Sequence, residues 1–155
     1  MSYEAWGEPD ETYMTPEQAA QEGWRPPEDL SPAMNSVIDE RLRQKDVEKI
    51  STEHDDEHVR GELAMAASCY AMAAAVGSRF VAEGKISDHA IDETCAHLAP
   101  PPGWPFEAAA WKSKSRRENL IRAAALIIAE IERLDRIDMK ACEAAAAEIA
   151  ATKEG

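Results

Sequence analysis

Two stretches of this chain hold side chains able to do chemistry. The first is Ser51 to His58, STEHDDEH, the most acidic and histidine-rich run. If it is helical, His54 and His58 share one face, and with Asp55 and Asp56 they gather hard and borderline metal ligands within one turn. Two histidines with a carboxylate suit a transition metal. Asp55 and Asp56 equally suit the opening of a helix near its positive end. The usual metalloprotease pattern places glutamate directly after the first histidine, and here Asp55 stands there. Glu62 heads the apolar run GELAMAASCYA. Its carboxylate can point into a groove between helices and help hold magnesium, or face solvent from a first helical turn.

The second stretch joins Trp104 and Trp111 to Lys112, Lys114, Arg116 and Arg117. Such rings can stack on a base while the cations hold phosphate. Alternatively, the tryptophans plug the end of a bundle and the cations answer acidic segments of the same chain. These cations crowd the start of a helix, where they oppose its dipole by a few tenths of a kcal/mol each, up to about 1. A bound phosphate would offset that cost, and so would the chain's own carboxylates. No Gly-rich phosphate loop, nucleophile elbow or Cys/His pairing accompanies them, so the residues favour nucleotide chemistry over acyl transfer.

The elements that must position these groups read as helices. Leu120, Ala124, Ile127, Ile131 and Leu134 recur at four-three-four-three spacing, which predicts one buried stripe on a helix that Ser115 and Glu118 open with a capping box. Thr15-Pro16 and Ser31-Pro32 are two further cap-then-proline starts. The second should open a helix to about Glu48, with Met34, Val37, Ile38, Leu42 and Val47 inward and Glu40, Arg41, Arg43 and Gln44 on its solvent side. A helix from about Asp56 to Val76 should bury Leu63, Ala66, Tyr70, Ala73 and Val76 and stop at Gly77. Ser87 to Leu98 is a third, ended by Pro100-Pro101-Pro102-Gly103. Asp138 to Thr152 either continues the capped helix or forms a short final one. Residues 1–30 read as an acidic flexible arm with one short helix, in which Trp6 and Trp24 are unusual. Residues 31–155 read as one domain.

At 155 residues the chain can bury one core. Much of its apolar content is alanine, which favours helix and buries little area per residue. The expectation is an all-α bundle of four to five helices, dimeric or higher. A net charge of −13 argues against direct DNA or RNA binding and against anionic membranes. It permits an acidic interaction protein, or a nucleic-acid mimic, that occupies a basic host protein. Cys69, Cys95 and Cys142 form no C-x-x-C pair and read as small core residues in a reducing compartment. No secretory signal is visible and no apolar run reads as a membrane span, so the expected location is cytoplasmic.

VIDERLRQ (Val37 to Gln44), HDDEHVRGELAMAA (His54 to Ala67) and NLIRAAALIIAEIERLDR (Asn119 to Arg136) together resemble the small phage and prophage proteins related to the MazG-like, all-α nucleoside triphosphate pyrophosphohydrolases. The resemblance implies an oligomeric helical bundle in a bacterial host. It also implies magnesium held by an E-E-x-x-E set and an E-x-x-D pair, with a water splitting a nucleoside triphosphate into monophosphate and pyrophosphate. Glu62 matches the last glutamate of the first set. His58 and Val59 stand where the other two would be, and Asn119 and Arg122 occupy the places of the E-x-x-D pair. An arginine at a ligand position repels the ion, and phosphoryl chemistry of this type needs several carboxylates around it. His54, Asp55, Asp56 or Glu118 would have to supply a rearranged set. The resemblance thus implies a protein that binds or sequesters a nucleotide, including a signalling nucleotide in an anti-defence role, with weak or absent hydrolysis. Lys112, Lys114, Arg116, Arg117 and Arg122 would hold the phosphates, and Trp104 or Trp111 the base.

Overall fold

Capping chemistry sets most of the helix starts. Thr15 Oγ1 accepts from the Gln18 backbone N–H while Gln18 Oε1 accepts from that of Thr15, opening α1 (Pro16–Gln21). Ser31 Oγ accepts from the Met34 N–H at the head of α2 (Pro32–Asp46). Ser51 caps α3 (Thr52–Asp56) through the His54 N–H, and Ser87 caps α5 (Asp88–Ala96) through that of Ala90. The Ser115–Glu118 capping box is fully formed at the start of α6 (Arg116–Glu154). Between them runs α4 (Glu62–Ala82). This computed structural model describes residues 15–21, 23, 27–46 and 51–155, and among them there is no strand. Trp6, Trp24 and Val47 lie outside the described residues. The chain divides into two units, residues 1–35 and 36–155, with the boundary inside α2.

In the larger unit α4 packs along α6, α5 packs against α4, and α3 meets α6. Alanine is the commonest buried residue on both α4 and α6: Ala66, Ala67, Ala73 and Ala74 on the first, Ala123, Ala125 and Ala129 on the second. Small side chains let two helices approach closely but bury little area each. The larger contributors are Leu63, Tyr70, Ile91 and Trp111. Gly77 does not stop α4. It lies in the helix interior, where an added Cβ would stand 3.0 Å from Cys95 Sγ and 3.2 Å from Ile91 Cγ1, so it is the close-approach point for α5. The chain turns at Gly84, whose φ of 70° suits glycine. By length and composition α4 also passes for a membrane span, contrary to the expectation of none; here it is the central helix of the unit.

Two faces are turned over relative to the sequence pattern. On α2, Arg41 and Gln44 are buried whereas Ile38 and Leu42 are exposed. On α6, the inward face is Asn119, Ala123, Ala125, Ala129 and Arg133, while the regular apolar stripe stays open: Leu120 is 52% exposed, Ile127 49%, Ile131 52% and Leu134 47%. Val76 is exposed as well, and so is Cys142, whereas Cys69 and Cys95 are buried. Residues 138–154 continue α6 and make no separate helix. At about 1.5 Å per residue α6 is on the order of 60 Å long, and from Ile137 onward it is exposed throughout.

Candidate ligand cleft

The segment between α5 and α6 is fastened at four successive residues, Trp111 to Lys114. Trp111 Nε1 donates to the Leu98 carbonyl at 2.7 Å, and the Lys112 N–H donates to Tyr70 Oη at 3.0 Å. Ser113 Oγ donates to the Cys95 carbonyl at 2.6 Å. Asn119, wholly buried, accepts from the Lys114 N–H and donates through Nδ2 to Ser113 Oγ and the Lys114 carbonyl. Such a fully paired buried amide holds a loop in one conformation. Asn119, at a metal-ligand position of the resemblance, thus fixes backbone here.

That loop closes one side of a cleft of about 540 Å³, lined also by α2, α3, α4 and α6. Tyr70, Trp104, Phe106, Leu63 and Leu126 give it an apolar wall. The rings are braced edge to face: His58 to Phe106 at 5.1 Å, Phe106 to Trp104 at 5.5 Å, Trp104 to Tyr70 at 5.6 Å. Trp111 stacks on Tyr70 at 4.5 Å and is buried, so of the two tryptophans only Trp104 lines the cleft. Lys112 and Arg122 line it too. Arg122 donates to the Lys112 carbonyl and lies 5.9 Å from the Tyr70 ring centre. The Lys112 side chain is exposed.

Glu40, Arg41, Arg43 and Gln44 of α2 line it as well, and Glu40 Oε1 lies 3.9 Å from Arg122 Nε. Arg41 binds Asp55 at 2.8 Å and Glu132 at 2.6 Å, which explains why it points inward. Burial pushes the Glu132 carboxyl up, yet hydrogen bonds from Arg41 and Lys45 bring it below its ordinary value. Burial likewise works against the Arg41 charge and its two carboxylate partners more than restore it. The Arg43 guanidinium, 2.7 Å from Glu40, holds that carboxyl low. Among the described residues Asp55 Oδ1 is buried with no hydrogen-bond partner, while His54 and His58 line the same cleft.

The remaining basic residues go elsewhere. Arg116 turns to α5, 2.8 Å from both Asp92 and Asp88, and those contacts raise its pKa. Here the chain's own carboxylates answer the charge at the helix start. Arg117 bonds Ser36 Oγ at 3.0 Å and, with Lys114, lines a second cavity of about 470 Å³ that Arg122 and Glu40 share.

The carboxylates assigned to magnesium are dispersed. Glu62 accepts from the Arg60 backbone N–H at 2.7 Å and does not line the cleft. Asp56 is held at 2.8 Å by Arg136, whose hydrogen bond lowers its pKa. Asp55 is tied to Arg41, and Glu118 is in the capping box. Among the described residues no three His, Cys, Asp or Glu side chains gather as a metal-binding group. The residues present therefore do not fit the magnesium set that the resemblance implies.

The sequence reading missed Arg41, Arg43, Glu40 and Gln44 as cleft residues and Tyr70 as part of its wall. The arginine density of RLRQ was the available signal; the partner of Arg41, Asp55, lies 14 residues further along the chain. Comparison with family models, with curated proteins and with solved structures gives no match in any of the three. What fold and cleft define together is an all-α protein with an aromatic-walled, cation-edged cleft.

Proposed function

We propose that the cleft binds a nucleotide, with the base against Trp104 and the phosphates at Lys112 and Arg122. The observation that supports this most is their shared cavity: a half-buried indole and two cations, held by a loop whose backbone is fixed. Base stacking on an aromatic side chain contributes about 1–3 kcal/mol, and charge-assisted hydrogen bonds about 1.5–3 each. Without an assembled carboxylate set, hydrolysis is weak or absent, and the protein acts by sequestering its ligand. Magnesium enters as a companion of the phosphates. This is the activity of a degenerate MazG-like phage or prophage protein in the host cytoplasm, removing a nucleotide signal. A concave site ringed by Trp104, Lys112 and Arg116 would favour this reading over an acidic mimic docked on a basic host protein; Trp104 and Lys112 share the cleft, whereas Arg116 turns to α5. Calorimetric titration of nucleoside triphosphates and cyclic dinucleotides, with and without magnesium, tests it. Heat with at least one, lost in Trp104→Ala, is the expected result; no heat with any refutes it.

The oligomer belongs to the same proposal. The open stripe of α6 continues through Cys142, Ala145 and Ile149, all exposed. Its covering partner is a second copy of this chain, α6 against α6, running antiparallel. Charge supports that direction: the first end of the helix carries Lys112, Lys114, Arg116, Arg117 and Arg122 against Glu118, and the second Asp135, Asp138, Glu143, Glu148 and Glu154 against Arg136, Lys140 and Lys153. An antiparallel pair sets one against the other and opposes the two helix dipoles. Sedimentation equilibrium should give a dimer, and a monomer at every concentration would exclude it.

A further inference from the structure

His54, in α3, and His58, just after it, line the cleft but take no part in the nucleotide contacts above. Their Nε2 atoms are 3.4 Å apart, and their rings stand perpendicular with centroids 4.9 Å apart. Two imidazole nitrogens on one zinc-like ion, each about 2.0–2.1 Å from it at a tetrahedral angle, are separated by about 3.4 Å. The pair therefore has the bite of a chelate. Ligation through both Nε2 atoms requires both Nδ1 atoms to carry the proton. His54 Nδ1 lies 3.8 Å from Glu57 Oε2, on the ring side away from His58. A carboxylate in that place favours the required tautomer of a metal-ligating histidine. Asp55, whose Oδ1 is buried and without a hydrogen-bond partner among the described residues, lines the same cleft.

We propose that His54 and His58 bind one borderline divalent cation of the Zn²⁺, Ni²⁺ or Co²⁺ class, with its other positions open to water or to a ligand oxygen in the cleft. Imidazole nitrogens select these ions over magnesium, which prefers oxygen. Two protein ligands and open positions make an exchangeable site. Binding of the ion stands on the histidine geometry alone; its contact with ligand phosphates rests on the nucleotide reading.

The test uses the full chain stripped of metal. Ni²⁺ and Zn²⁺ alone are titrated by calorimetry, and Co²⁺ is followed by its visible absorption. One ion per chain is expected, not displaced by excess Mg²⁺. His54→Ala and His58→Ala should each weaken binding at least about tenfold, whereas His89→Ala and His97→Ala leave it unchanged. His54→Gln and His58→Gln serve if either alanine variant loses its helical circular dichroism. No binding by the wild type, or equal binding by the His54 and His58 variants, overturns the proposal; a plain N–H···N bond between the rings would give that outcome. A chain that binds metal but no nucleotide refutes the nucleotide reading and leaves this site standing.

Discussion

The two faces of α6 invert the usual division of labour. Its inner face is Asn119, three alanines and Arg133, all buried; its outer face is Leu120, Ile127, Ile131 and Leu134, each about half exposed. The same inversion recurs on α2, where Arg41 is buried and Leu42 open. Alanines bring α4 close while leaving room at one side for a cleft, and the inner polar residues fix the loop and ion pairs that shape it. The large residues stay on the open side. On the proposed reading one face builds a site and the other an interface, and the faces should respond differently to substitution.

The largest loss is expected on the inner side. Trp111→Ala removes the ring stacked on Tyr70 and should cost about 3–5 kcal/mol, read by urea unfolding. Arg41→Ala is of the same order, about 3–5 kcal/mol, because Asp55 is left buried without its cation. If Arg41→Ala unfolds like the wild type, the ion pair does not hold the inner face.

Acid should act on the same side, more gradually. Glu132, Glu40 and Asp92 all titrate below their ordinary values because of arginine partners. A depressed carboxylate stabilises the fold above its unfolded pKa, and that contribution fades as pH falls through the folded value. Melting temperature should therefore decline from about pH 5 downward. A flat profile would mean that these pairs contribute nothing.

The outer face should give the smallest change in fold stability and the clearest change in mass. Ile127→Glu with Ile131→Glu alters the folded monomer by about 0.5 kcal/mol per site or less, yet should abolish the dimer in sedimentation. A double variant that unfolds instead would place this stripe in the monomer's own core.

Local signals were legible. The capping chemistry at Thr15, Ser31, Ser87 and Ser115, the all-helical class and the inward residues Leu63, Ala66, Tyr70 and Ala73 could be read from residue type and spacing. Periodicity also found the α6 stripe, but an apolar face seeks burial without naming its partner, and within the unit alanines occupy the contact. Gly77 illustrates a second limit: in isolation it reads as a stop, and only the approach of Ile91 and Cys95 makes it a packing residue. The basic cluster was legible as a cluster. Its division among the cleft, the second cavity and α5 depends on carboxylates brought near by the fold, above all Asp88 and Asp92.

The central claim is that the cleft on the inner side of α6 receives phosphate beside an aromatic wall. Calorimetry of one bound nucleotide against wild type, Lys112→Ala and Arg117→Ala tests it most directly, because Lys112 lines that cleft and Arg117 does not. Loss of about tenfold or more in Lys112→Ala, with Arg117→Ala close to wild type, is the predicted result. Equal affinity in wild type and Lys112→Ala, or loss confined to Arg117→Ala, would contradict it.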